Sequence, residues 1–217
     1  MLVHGAIVPP RAALEAVDAV IRAVPVPVDG EPSPPSPKGF LGRLGRHRVD
    51  VEAPPPAPAM LEHVPVADML LPITGFGNLT TNDAHKVADT IRAAATGWVA
   101  PTVSFAGGTA LDFPGDWSVW ARLVGDVDAL MTCARGVPQC VEGLGFFVDR
   151  RQFRPMLSVA TVTPATTGPF LEAVVDALEG FRGEPWTADI VLLKETFVGS
   201  RPELVEFQRI PLGPAGA

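Results

Sequence analysis

The chain has 217 residues, 47% of them hydrophobic and 19% charged, with a formal net charge of −7. That length suits one two-lobed domain or two small ones around a buried core, and the acidic balance, with a pI near 5.0, gives no general pull toward nucleic acid or an anionic bilayer. Cys133 and Cys140 have no second pair and no nearby histidine, which predicts free thiols rather than a metal centre, and no phosphate-cradling or dinucleotide fingerprint points to a cofactor. The first residues lack a basic region before an apolar signal core, and no run approaches the ~18 apolar residues of a membrane helix. A cytoplasmic chain, or a component of a particle assembled inside the cell, is the expectation, with no membrane partner.

Leu2 to Val8 predicts a strand, with His4 in its middle. Pro10 to Val24 predicts a helix with proline near its start and Leu14, Val17, Ile21 and Val24 on one stripe. Residues 25–59 then change character. Proline tracts flank a short basic stretch in which Lys38, Arg43, Arg46 and Arg48 alternate with Phe40, Leu41 and Leu44. Proline denies this segment regular helix, so it reads as an insertion: a solvated loop, or a contact surface for a protein partner or a nucleic-acid backbone.

Leu71 to Phe76 predicts a strand and Gly75-Phe76-Gly77 a turn. Thr80, Thr81 and Asn82 offer caps for a helix reaching Ala95 through Val87, Ile91 and Ala94. Trp98 to Phe105 and Ser118 to Val124 predict strands separated by turns at Gly107-Gly108 and Phe113-Pro114-Gly115. Trp117 and Trp120 suit core or lobe-interface packing, or stacking on a base. A helix beginning at Gly125-Asp126 is expected to be cut short at Gly136 and Pro138. Thr166 to Pro169 opens a helix with Leu171, Val174, Val175 and Leu178 on one face. Ile190 to Phe197 and Leu204 to Leu212 predict the closing strands.

Two strands carry a repeated pattern. In Phe153 to Val162, strand parity puts Met156 and Ser158 on one face and Leu157 and Val159 on the other, and the same parity pairs Pro72 with Thr74. With Phe153-Arg154-Pro155 ahead of Met156, the chain resembles the 2H phosphoesterases, which include the 2′-5′ RNA ligases and RNA 2′,3′-cyclic phosphodiesterases. Their two His-x-Thr/Ser motifs face each other across a groove. The resemblance covers nearly the whole chain outside the 25–59 insertion, and it implies a single α+β domain of two β-α-β-β lobes, with antiparallel sheets flanking a central groove. It also implies that Pro72 and Met156 stand where the family has its catalytic histidines, with Thr74 and Ser158 retained.

Hydrolysis of a cyclic phosphodiester needs one group to take a proton and another to give one, each contributing roughly 10²–10⁴-fold. A pyrrolidine ring and a thioether do neither. The pattern therefore predicts a fold without the family's chemistry, acting as a binding or structural module. Two alternatives stay open. His4 can serve as a relocated base if its parity turns it to the groove, giving an RNA-end or cyclic-phosphate enzyme. Otherwise Thr74, Ser158 and Arg154 can hold the phosphate of a nucleotide or RNA without cleaving it.

Overall fold

The computed structural model describes residues 1–26, 59–111 and 113–213. In chain order the elements are β1 (Leu2–Ile7), α1 (Arg11–Arg22), β2 (Leu61–His63), β3 (Leu71–Asn78), α2 (Thr81–Ala95), β4 (Thr102–Ala110), β5 (Ser118–Gly125), α3 (Val127–Glu142), β6 (Met156–Val162), α4 (Gly168–Gly180), β7 (Trp186–Thr187), β8 (Ile190–Val198) and β9 (Arg201–Ile210). A short 3₁₀ turn at Val66–Asp68 joins β2 to β3. One sheet has the order β3-β1-β8-β9 and the other β2-β6-β5-β4-β7, and neighbouring strands are antiparallel throughout. The first sheet joins strands from both ends of the chain, and the second is built from the segment between them.

Helices cover the outer faces. α4 and α1 lie against β4 of the second sheet, while α2 packs on β9 and α3 on β3 of the first. α1 buries Leu14, Val17 and Ile21 along the expected stripe, each worth about 1.5–3 kcal/mol on leaving water. α2 starts where Thr80 accepts the Asp83 N–H at 3.2 Å, a cap worth about 1 kcal/mol. α4 buries Phe170, Val174 and Leu178; its inward stripe is rotated from the expected one, leaving Leu171 and Val175 only half-buried. No helix among the described residues is long and apolar enough to cross a membrane.

Several predicted breaks turn out to lie inside elements. Gly75-Phe76-Gly77 belongs to β3, because β3 carries two bulges instead of a turn: the register runs Val3 to Gly77, His4 to Gly75, Gly5 to Thr74 and Ala6 to Pro72, leaving Phe76 and Ile73 without partners on β1. Both inserted residues are fully buried. Gly107-Gly108 likewise lies within β4, at a bulge opposite β5. A Cβ on Gly108 would stand 2.5 Å from the Leu178 Cβ, so glycine here lets α4 seat directly on the strand. β4 begins at Thr102 rather than Trp98, and β9 at Arg201 rather than Leu204.

α3 runs through Gly136 and Pro138 to Glu142. Proline removes one helical hydrogen bond at a cost of about 3 kcal/mol, which the buried Leu130, Cys133, Val137 and Val141 offset. Gly136 is there for packing: a Cβ would lie 2.5 Å from the Trp98 ring. Cys133 and Cys140 are free thiols on this helix, and burial pushes both pKa values up.

Candidate functional site

The inner faces of the two sheets meet along a groove. His4 and Ala6 of β1 and Leu193 of β8 line it from one side, because alternate residues Val3 and Ile7 are turned into the main core. At one end Pro72, Arg151, Gln152, Arg154 and Met156 enclose a cleft of about 310 Å³. The next section, about 230 Å³, is lined by His4, Pro72, Thr74 and Arg151 among others. Pro72 and Arg151 line both, so the two sections adjoin. Positions 72 and 156, from different sheets, thus share one cleft.

The two motif strands differ. Between Met156 and Ser158 β6 keeps its period, with Arg122 opposite Met156 and Trp120 opposite Ser158. Ser158 lines neither section of the groove. In β3 the extra residue Ile73 turns into the core, with Pro72 opposite Ala6 and Thr74 opposite Gly5. Pro72 and Thr74 nevertheless line the same groove section. Thr74 is 2% exposed, and its hydroxyl donates to the Asp149 carbonyl at 2.6 Å. The Asp149 N–H returns a bond to the Gly75 carbonyl at 2.8 Å. With its one proton so placed, Thr74 presents lone pairs rather than a donor to any anion.

β6 starts at Met156, so Phe153 to Pro155 form an irregular lead-in with a bend at Pro155 rather than the first residues of the strand. Arg154 still reaches the cleft. Its guanidinium lies over the Phe113 ring, 3.5 Å from the centroid, and 3.8 Å from the Asp116 carboxylate. Arg151, which the motif pattern did not single out, stands beside it and is held by the Asp149 carboxylate through its Nε at 2.7 Å. Its signal in the sequence was the basic run Arg150-Arg151 just ahead of the motif, outside the predicted strand. Arg151 and Arg154 therefore both line the cleft that Pro72 and Met156 share.

His4 faces the groove. Burial holds its imidazole below the ordinary 6.5, with Glu195 pulling upward, Arg151 adding to the depression and Asp149 opposing it. His63 is held below 6.5 in the same way, by burial and then Arg22, against Asp18, whose carboxylate is 3.7 Å away. It packs against α1 and lines neither section of the groove. His85 is exposed and tilted against Phe207. Trp117 is 64% exposed rather than packed in a core. Trp120 is half-buried with its indole N–H unpaired among the described residues. No cluster of three or more metal-ligating side chains occurs among the described residues. Lys38, Phe40, Arg43, Arg46 and Arg48 lie outside the described residues.

No family model matches the sequence, and no curated protein does. Solved structures do match in fold. TT0787 of Thermus thermophilus superposes with a TM-score of 0.60 at 15% identity, covering 99% of this chain and 100% of its own. A phosphoesterase does so at 0.59 and 14%, covering 98% of each chain. LigT of E. coli, crystallised with 3′-AMP, gives 0.59 at 13%, covering 97% of each chain. The two-sheet architecture with a groove between the sheets is therefore the two-lobed α+β fold of LigT.

Proposed function

We propose that this protein is a non-catalytic form of the 2H phosphoesterase fold that works by binding in its groove. The observation that carries the reading is the pairing of Pro72 with Met156 in one cleft: the two positions that would have to exchange protons across a phosphodiester hold side chains without a titratable group. Loss of both removes two factors of roughly 10²–10⁴. What the cleft offers is Arg151 and Arg154, with their carboxylate partners Asp149 and Asp116 outside the cleft lining. Planar guanidiniums are suited to phosphate oxygens. LigT structures with phosphate and with ATP support taking the ligand to be a phosphate-bearing nucleotide or RNA end.

The test has two parts. Purified protein incubated with 2′,3′-cyclic AMP is expected to show no turnover above that of its His4→Ala variant. Titration with 3′-AMP is expected to show binding that weakens as salt rises and is lost in the Arg151→Ala/Arg154→Ala double variant. Absence of binding at low salt overturns the reading.

One observation favours a second reading. His4 lines the groove with a lowered pKa, which keeps it in the neutral form a general base requires. Turnover of the cyclic nucleotide that disappears in His4→Ala would make the protein a phosphodiesterase with a relocated base.

A further inference from the structure

The register sets His4 of β1 opposite Gly75 of β3. Because position 75 carries no side chain, the space above it is shared. A Cβ built there would stand 3.6 Å from the His4 Nδ1 and 3.8 Å from the Asp149 Cβ, so the imidazole and the loop that carries Asp149 and Arg151 converge over one glycine. His4 and Arg151 also line one section of the groove together, and its volume of about 230 Å³ is small enough that a ligand group touching one reaches the other.

Both side chains have hydrogen-bonding capacity to spare. Asp149 takes the Arg151 Nε at 2.7 Å and one terminal nitrogen at 2.5 Å, which leaves the second terminal nitrogen without an ion pair among the described residues. The one histidine in an ion pair among the described residues is His63; His4 has none. The charged groups around the His4 ring are Glu195 on β8 and Asp149 and Arg151 in the loop before β6, while β3 carries no charged residue. Further along, Glu203 lines the adjoining cavity with Asp68 and Glu206, which are paired to Arg201 and Arg209. Burial favours the neutral ring, and Arg151 adds to that preference. A neutral imidazole donates one hydrogen bond, whereas a protonated one donates two and carries charge.

We propose that His4 is a further phosphate-binding residue, gripping the same anion as Arg151 in the groove section beside Thr74, and that binding takes up a proton. This role rests on the reading of the groove as a phosphate site, and it puts the phosphate where Arg151 borders both sections rather than between Pro72 and Met156. Thr74 does not compete for that place as a donor, since its proton is committed to the Asp149 carbonyl. An anion set between guanidinium and imidazole favours the protonated ring by unlike charge. Affinity therefore rises as pH falls through the range in which the ring is protonated in the complex and neutral in the free protein.

Two measurements test it. The chain has four histidines, few enough for their ring protons to be followed one by one by NMR, with the His4 signal assigned through backbone connectivity. Its titration midpoint is expected to rise by about 0.5 when 3′-AMP is saturating, the equivalent of roughly threefold tighter binding. At low salt, the ratio of 3′-AMP affinity in the parent to that in His4→Gln is expected to grow about 2–3-fold between pH 8 and pH 5.5. The ligand's own titration near pH 6 acts on both proteins alike and drops out of that ratio. Circular dichroism across the range checks that the variant is folded; if it is not, the midpoint in the parent decides. An unmoved midpoint, or a ratio that stays level in a folded variant, overturns the role of His4. Where 3′-AMP still binds and needs Arg151 and Arg154, that role falls alone; where 3′-AMP binds at no pH, the phosphate reading falls with it.

Discussion

β3 and β6 occupy matching places in the two lobes, yet they have settled into different roles. β6 is regular across Met156 to Ser158. β3 takes in two extra residues, Ile73 and Phe76, that add bulk to the core, and its hydroxyl ties the strand to the Asp149 loop. A strand whose side chains must be aimed at a substrate tolerates few such insertions, because each one turns the following residues to the other face. The difference teaches that β3 does two jobs, lining the groove with Pro72 and Thr74 while Ile73 and Phe76 fill the core, whereas β6 gives the groove Met156 alone.

The sharpest way to break this comparison is to truncate one residue from each strand. Phe76→Ala is expected to cost about 3–5 kcal/mol in chemical denaturation, while Met156→Ala, half-buried at the cleft, is expected to cost about 1 kcal/mol or less. Similar losses would mean that β3 holds no special structural share. The hydroxyls come next. Thr74→Val leaves the Asp149 carbonyl without its donor and is expected to cost about 1–3 kcal/mol, against less than about 0.5 kcal/mol for Ser158→Ala.

Acid provides a third contrast. His4 and His63 are both held below 6.5 in the folded state, so below that pH the unfolded chain binds more protons than the folded one and stability falls as pH drops. Melting temperatures measured down from pH 7 are expected to decline below about 6.5, and to decline less in His4→Gln and in His63→Gln. A flat profile in the parent protein refutes this. Arg154→Ala is expected to cost a modest amount, about 0.5–1 kcal/mol, through loss of the contact with Phe113; the same variant should weaken 3′-AMP binding far more than it lowers the melting temperature.

Much of the fold could be read from residue patterns because it rests on long apolar periods. Leu14, Val17 and Ile21 mark α1, and Val87 and Ile91 mark α2, whatever their partners. The errors fall where a distant contact reverses a local preference. Gly136 breaks a helix in isolation and permits one beside Trp98; Gly107-Gly108 reads as a turn until α4 is laid across it. The site was legible at Pro72 and Met156, which sit inside recognisable strands. Arg151 was not, since its position depends on the Asp149 backbone bonding to Gly75, far earlier in the sequence.

The contact between Gly136 and Trp98 has an evolutionary corollary. Since a methyl group at position 136 would collide with the indole, the two sites are bound to change together: a lineage that trades the tryptophan for a smaller side chain frees its helix to accept alanine there, with a gain in helix propensity of roughly 0.8–1 kcal/mol. An aligned set of descendants should therefore show glycine at 136 wherever the indole persists and alanine or larger only where it has gone.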